Sequence, residues 1–471
     1  MQEAQEPSQP KTALKRTPLP VLSAFFMIYI FVSGGSFGIE EMVSSSGPGL
    51  TLILLMALPF VWALPMALVA SELGSALPGT GFYHWTRRAL GRFWGFQAAW
   101  WWTLATLVDT SLYVVLAASY LQGYAGFGQD IFYLTCWSII ALFAVINILG
   151  LRFVAMGSTV FSLLIISPFL VLIAVGLANW QFNPFEPIVP ANQNLLGGDG
   201  ALILGLSVGL WMYSGYESMS TLAGEIENPQ KVIPKALMLA LPFVALMYLL
   251  PTMASLAAFG QWERFGVAGM GDDVSFIDIG RTLGGSALGH ALLASALLGN
   301  LALYLDYMGS CARPLYALAD DGLFPRFLLG VSPRFGTPVA AIVTVAAVNC
   351  VLVVGPFQSL VIIDVMLMIA AYALILIAAV RLRVTEPDLA RSFRVPLGTI
   401  GMALMITPAL LLIALVAYLA VVDRSMTIAG LSELSLFGIS AGWYAIVSVL
   451  GLVTGPLIYW LVTRGRPTVE A

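Results

Sequence analysis

The 471-residue chain is 59% hydrophobic and only 10% charged, with a formal net charge of −4. A soluble globular domain carries roughly 25% charged residues, so a chain this apolar cannot cover its own surface in water and its main solvent must be lipid. Three scattered cysteines (Cys136, Cys311 and Cys350) and two distant histidines (His84 and His290) form neither a disulfide framework nor a metal-ligand spacing. No cofactor or metal is therefore expected.

The first twenty residues are polar and carry Lys11, Lys15 and Arg16 ahead of an apolar run. That run is too long for the core of a signal peptide and is expected to be the first span. A span needs about 20 mostly apolar residues. Twelve such segments occur, near residues 20–46, 50–77, 92–123, 129–150, 154–180, 200–224, 234–260, 287–317, 337–356, 359–382, 398–422 and 440–463. With the N-terminus in the cytoplasm and sides alternating, every one of the 21 Lys and Arg residues except Arg264, Arg281 and Arg424 falls on the cytoplasmic face. The positive-inside rule demands this bias, and a missed or extra span would scramble it. The expectation is an all-α, multi-pass protein of the cell membrane with both termini in the cytoplasm.

Two spans are interrupted. The first contains Val32-Ser33-Gly34-Gly35-Ser36-Phe37-Gly38, and the sixth contains Trp211-Met212-Tyr213-Ser214-Gly215-Tyr216-Glu217. Glycines weaken a helix and permit unwinding. Interrupted segments at corresponding positions of two halves point to an inverted-repeat transporter with its site near the bilayer midplane. A small-residue packing face between membrane helices has a similar composition. The transporter reading divides the chain into a tail over 1–19, a first repeat over 20–180, a second repeat over 200–382, two further helices over 398–463 and a tail over 464–471.

Four stretches then resemble the amino acid–polyamine–organocation superfamily. The first is Gly35-Ser36-Phe37-Gly38-Ile39-Glu40-Glu41 ending in Ser46-Gly47-Pro48, a variant of the family's G-S-G-I-F that is similar to the G-P-F-G-V-E-D of its plant-type polyamine uptake branch. The second is Ser71-Glu72-Leu73-Gly74 with Pro78-Gly79-Thr80-Gly81-Phe82-Tyr83, where Phe82 replaces a usual glycine. The third and strongest runs from Gly215-Tyr216-Glu217 through Leu222-Ala223-Gly224-Glu225-Ile226-Glu227-Asn228-Pro229 to Ile233-Pro234-Lys235-Ala236. The fourth is Arg313-Pro314-Leu315-Tyr316-Ala317-Leu318-Ala319-Asp320-Asp321-Gly322-Leu323-Phe324-Pro325-Arg326. The resemblance covers nearly the whole chain and implies a leucine-transporter-type fold of five plus five inverted helices with two appended.

A broken helix exposes N–H donors at one end and carbonyls at the other, so a pair of breaks can clamp a zwitterion. In the family the substrate carboxylate sits at the first break and the amino group at carbonyls of both. Carried over, this implies substrate contacts from Ser33, Gly34, Gly35, Ser36, Phe37 and Gly38, and from Tyr213, Ser214, Gly215, Tyr216 and Glu217. Phe37, Tyr213 and Tyr216 are placed to close over a substrate, although each aromatic equally suits core packing.

The ionisable residues inside spans are Glu40, Glu41, Asp109, Glu217, Asp306 and Asp364, all acidic. A charge at the bilayer centre costs about 2.5–3.5 kcal/mol on insertion scales. Six such groups without basic partners must be protonated, hydrated or matched by a cationic guest. Glu40 and Glu217 each follow a break, and Asp109 has a counterpart in the polyamine branch, so these three are expected at the substrate. Glu41, about 100° round the helix from Glu40, suits an outer vestibule. Asp306 and Asp364 suit proton carriage or structural links between helices, and Glu40, Asp109 and Glu217 are proton candidates as well. The lysine that some proton-coupled members carry in the fifth span is absent from Phe161-Ser162-Leu163-Leu164-Ile165-Ile166-Ser167-Pro168.

No Gly-rich stretch carries the P-loop lysine, so ATP-driven transport is not expected. A membrane enzyme would need a catalytic cluster that the sequence lacks. A channel or receptor leaves the paired breaks unexplained. The expected function is proton-coupled symport or exchange of an amine-bearing substrate, polyamine or amino acid, with a zwitterion-exchanging relative of the glutamate–aminobutyrate type as the alternative. The partners expected are that small substrate, protons and membrane lipid, and not nucleic acid.

Overall fold

The computed structural model describes residues 19–77, 81–149, 154–191, 201–216, 227–267, 273–422 and 442–464. Its helices are α1 (Val21–Val32), α2 (Ile39–Ser46), α3 (Pro48–Ala76), α4 (Gly81–Leu90), α5 (Arg92–Ala125), α6 (Gln129–Ile148), α7 (Val154–Ala178), α8 (Ala201–Met212), α9 (Pro229–Phe259), α10 (Phe276–Asp320), α11 (Val339–Leu352), α12 (Phe357–Thr385), α13 (Gly398–Val422) and α14 (Gly442–Thr463). Among the described residues there is no strand, only a single bridge pairing of Phe265 with Val274. Helices α3, α5, α6, α7, α9, α10, α12 and α13 are long and apolar enough to cross a membrane, while α1, α8, α11 and α14 contain shorter apolar helices. In lipid every backbone group must find its partner inside the segment, which is why apolar runs of this length become helices.

Helices α5 and α12 pack along one another at the centre, with 83% of each apolar window buried against 22% for α6 and α13. The outer helices expose residues such as Leu134, Leu142, Leu404 and Leu411, as lipid-facing surfaces do.

Both interruptions form. Helix α1 stops at Val32, Ser33 turns extended, and Gly38 takes φ 92° before α2 begins. Helix α8 ends at Met212, and Gly215 takes φ 99°. A positive φ strains any residue that carries a Cβ, so glycine is required at both turns. A Cβ on Gly215 would also lie 2.7 Å from the Phe31 carbonyl oxygen, so the two breaks touch.

The first break leans on α10 at a second close approach. A Cβ on Gly299 would overlap the Gly34 carbonyl oxygen and lie 2.6 Å from the Gly34 carbonyl carbon. Overpacking a filled site costs about 1–3 kcal/mol and more where backbone must move. Gly299→Ala is therefore expected to lower the unfolding temperature in detergent, followed by intrinsic fluorescence. An unchanged unfolding temperature would contradict this contact.

Three local features differ from the sequence expectations. Helix α4 fills a stretch expected as a loop, burying Phe82 and Trp85 while Arg87 and Arg88 stay outside. Helix α10 starts at Phe276 and bends at Gly285 (φ 79°, ψ 179°), because Gly284-Gly285 interrupts the run that the sequence reading began at 287. Helix α3 passes through a π-turn over Pro59–Ala63, where Pro59 offers no N–H.

Beyond one end of the bundle, Glu72 of α3 is held by Arg383 of α12 and by the segment after it. Arg383 Nε donates to Glu72 Oε1 at 2.7 Å, its Nη2 donates to Oε2, and the Val395 N–H donates to Oε2 at 2.8 Å. Arg391 Nε lies 3.3 Å from Oε1, and the Arg383, Glu72 and Arg391 side chains are 0%, 2% and 4% exposed. Nearby, at the surface, Arg88 pairs with Glu386 at 2.7 Å and holds its carboxyl below the usual range. An exposed pair of this kind contributes little to stability.

Candidate functional site

Where the two breaks meet, a cavity opens between α1, α5, α8, α9, α10 and α12. The first break contributes Gly34, Gly35 and Phe37, and the second contributes Trp211, Met212, Ser214 and Gly215. Helix α5 adds Trp102, Thr106, Asp109 and Tyr113, α10 adds Asn300 and Tyr307, and α12 adds Asp364, Met368 and Tyr372.

Tyrosine hydroxyls hold the breaks in place. The Tyr248 hydroxyl on α9 lies 3.1 Å from both the Val32 and the Met212 carbonyl oxygens, spanning the ends of α1 and α8. The Tyr307 hydroxyl donates to the Phe31 carbonyl at 3.1 Å. Last-turn carbonyls lack partners within their own helix, and these hydroxyls supply some of them. The remaining partial negative charge of the α1 and α8 ends faces the cavity region.

Among the described residues, two carboxylates share this cavity. Asp109 is 8% exposed; its Oδ1 accepts the Trp211 Nε1–H at 2.8 Å and its Oδ2 accepts the Tyr113 hydroxyl at 3.1 Å. Asp364 is 2% exposed and accepts no hydrogen bond from a described residue. No Lys, Arg or His stands among the described residues that line the cavity. Aromatic faces of Phe31, Trp102, Tyr113, Trp211, Tyr307 and Tyr372 make up much of its wall. Aromatic faces attract cations, and carboxylates hydrogen-bond ammonium groups, so the arrangement suits an organic cation. Among the described residues no group of three His, Cys, Asp or Glu side chains is placed to hold a metal ion.

The other expected site residues fall elsewhere. Ser33 and Ser36 are buried in the break; Ser33 Oγ bonds within the turn to Gly35, and Ser36 Oγ donates to the Met247 carbonyl of α9. The Tyr213 hydroxyl donates to the Leu55 carbonyl at 2.8 Å, which ties α8 to α3, and Tyr216 is buried without lining the cavity. Glu40 does not line the cavity: it accepts the Gly38 N–H, the Phe276 N–H and the Tyr120 hydroxyl. Glu41 accepts the Val267 N–H at 2.9 Å and the Gln358 amide, and it lines a separate cavity with Glu263 and Asp273. Asp306 is partly buried on α10, without a hydrogen bond to a described residue, and lies off the cavity. Glu217 lies outside the described residues.

Of the acidic residues named from the sequence, the structure brings Asp109 and Asp364 together. Sequence reasoning did not find Trp102, Tyr113, Tyr248, Tyr307 or Tyr372 as cavity residues. They sit inside helices away from the two breaks in sequence, and an aromatic in an apolar run reads the same whether it faces lipid, core or cavity. The partial signal was Asp109: Tyr113 stands four residues on, hence on the same helix face.

A model of the amino acid permease family matches residues 19–454. The chain is 35% identical over 439 residues to "Polyamine transporter PUT1" of Oryza sativa subsp. japonica, covering 91% of this chain and 78% of that protein. It is 33% identical over 415 residues to a "Probable polyamine transporter" of Arabidopsis thaliana (87% and 81% covered). It is 26% identical over 400 residues to "Methylthioribose transporter" of Bacillus subtilis (80% and 84% covered). These relatives are transporters, not enzymes.

Proposed function

Since this chain belongs to the amino acid permease family, we propose that it is a secondary transporter of a polyamine or related amine, moved by alternating access at the two interrupted helices. The observation that carries this reading is the cavity itself: among the described residues it has two carboxylates, aromatic walls and no cationic side chain where both breaks meet. A diamine would set its ammonium groups against Asp109 and Asp364 and its methylenes against the aromatic faces. The relatives named as polyamine transporters support the same substrate class.

The architecture that goes with this reading has twelve spans. Five and five form the inverted repeats, over 20–180 and 200–382, and two more follow. Both termini lie in the cytoplasm of a cell-membrane protein. The pairing of the breaks, the placing of Lys and Arg and the family membership support it. Asp109, Asp306 and Asp364 are candidate proton carriers, with Glu40 and Glu217, because each is an acidic group expected within a span.

The test is uptake of radiolabelled putrescine and spermidine into proteoliposomes with and without a pH gradient. Saturable uptake is expected. Acceleration by the gradient identifies proton coupling, and trans-stimulation by internal amine without a gradient identifies exchange. No saturable flux of any amine would overturn the reading.

A further inference from the structure

One carboxylate stands at the first break without facing the cavity. Glu40 lies in the first turn of α2 and is fully buried. Its oxygens accept the Gly38 N–H at 2.9 Å, the Phe276 N–H at 3.2 Å and the Tyr120 hydroxyl at 3.0 Å. The Gly38 N–H belongs to the start of α2, the positive end of a half-helix. In transporters with interrupted helices that end receives the anionic group of a substrate. Here a carboxylate of the chain itself occupies it.

The place is next to the cavity. Phe37 lines it, and a Cβ on Gly38 would lie 3.4 Å from the Trp211 ring, another wall residue. A substrate carboxylate would have to displace Glu40, which is tethered two residues away and so present at high effective concentration. It would also enter a space shared with Asp109 and Asp364, where no described basic side chain offsets its charge. Unpaired like charge is a means of rejecting the wrong ligand.

We propose that Glu40 is a built-in anion that fills the carboxylate subsite of the interrupted first helix and makes the cavity selective for amines that carry no carboxylate. This rests on the reading of the cavity as an amine site, and it narrows that reading from amine-bearing substrates to amines without an acid group. Glu40 acts through the backbone it occupies and is a positioning and specificity residue.

Matched pairs that differ by one α-carboxylate test it: putrescine with ornithine, cadaverine with lysine, and agmatine with arginine. Each compound is titrated as an inhibitor of radiolabelled spermidine uptake in proteoliposomes. For the unaltered protein each amine is expected to inhibit about 100-fold more strongly than its amino acid, and a preference below tenfold overturns the proposal. Glu40→Gln keeps the shape and a carbonyl for the Gly38 N–H but removes the charge. It is expected to narrow the preference at least about tenfold by strengthening inhibition by the amino acid. An unchanged preference, or equal loss for both members of a pair, assigns Glu40 a structural role and overturns the proposal. The measurement on the unaltered protein needs no variant, so it decides even if Glu40→Gln does not fold. Absence of all amine uptake would overturn the transport reading itself, whereas amine uptake without discrimination would overturn the Glu40 proposal alone.

Discussion

Asp109→Asn is expected to weaken diamine binding by at least about 30-fold, because truncating one partner of a buried charge pair costs about 2–5 kcal/mol and each 1.4 kcal/mol is tenfold. Asparagine preserves the volume, and its carbonyl oxygen can still accept the Trp211 Nε1–H that Asp109 accepts at 2.8 Å. What it removes is the negative charge of one of the two carboxylates that line the cavity among the described residues, the other being Asp364. A bound diamine then has one ammonium group without a counter-charge in a low-dielectric space. Stability should move the other way, since an acid inside the membrane region is costly to bury. The unfolding temperature without ligand is therefore expected to stay level or rise while amine affinity falls. Titration calorimetry with spermidine, paired with thermal unfolding in detergent, reads both. Undiminished affinity in a folded Asp109→Asn protein would remove Asp109 from the site.

The second large effect is expected at Glu72. Its carboxylate is held by Arg383, Arg391 and the Val395 N–H, with all three side chains nearly inaccessible. Arg383 also donates to the Val395 carbonyl at 2.8 Å and to the Gly398 carbonyl at 2.5 Å, so one guanidinium ties the end of α12 to the start of α13 as well as to α3. Removing one partner of a buried ion pair costs about 3–5 kcal/mol, because the other charge is left uncompensated. Arg383→Met is expected to destabilise at the low end of that range, since Arg391 remains 3.3 Å from Glu72. Adding Glu72→Gln removes the stranded charge and is expected to recover part of the loss. A double variant no more stable than Arg383→Met would mean that the carbonyl contacts of Arg383, not the ion pair, carry the stability.

Much of the helical scaffold is legible in the amino-acid sequence because lipid imposes a simple rule: an apolar run of sufficient length becomes a helix. The breaks were legible for a related reason, since clustered glycines at Gly34-Gly35 and Gly38 and at Gly215 stand out in apolar runs. What the sequence obscured is facing. Glu40 and Asp109 both read as acids near the substrate. Glu40 instead turns back onto the N–H of Gly38, two residues before it, while Asp109 meets Trp211 from a helix about a hundred positions away. Asp364 reads as a proton carrier or structural link, and only tertiary packing places it in the same cavity as Asp109. The helix α4 and the bend at Gly285 escaped because turn residues at their ends mask short helices.

The tyrosines make the same point from the other side. Tyr213, Tyr248 and Tyr307 all donate to backbone carbonyls, but only the last two line the cavity. Residue type and position along a helix do not separate a hydroxyl that supports the site from one that faces it. The partner carbonyls, Leu55 for Tyr213 and Val32, Met212 and Phe31 for the others, make that distinction.

The central claim is that amines bind where the two breaks meet. A structure determined by electron cryomicroscopy with spermidine bound tests it most directly. Ligand nitrogens are expected within hydrogen-bonding distance of the Asp109 and Asp364 carboxylates, with the methylenes against Trp211 and Tyr307. Spermidine bound instead in the cavity at Glu41, Glu263 and Asp273, with the space between the breaks empty, would contradict it.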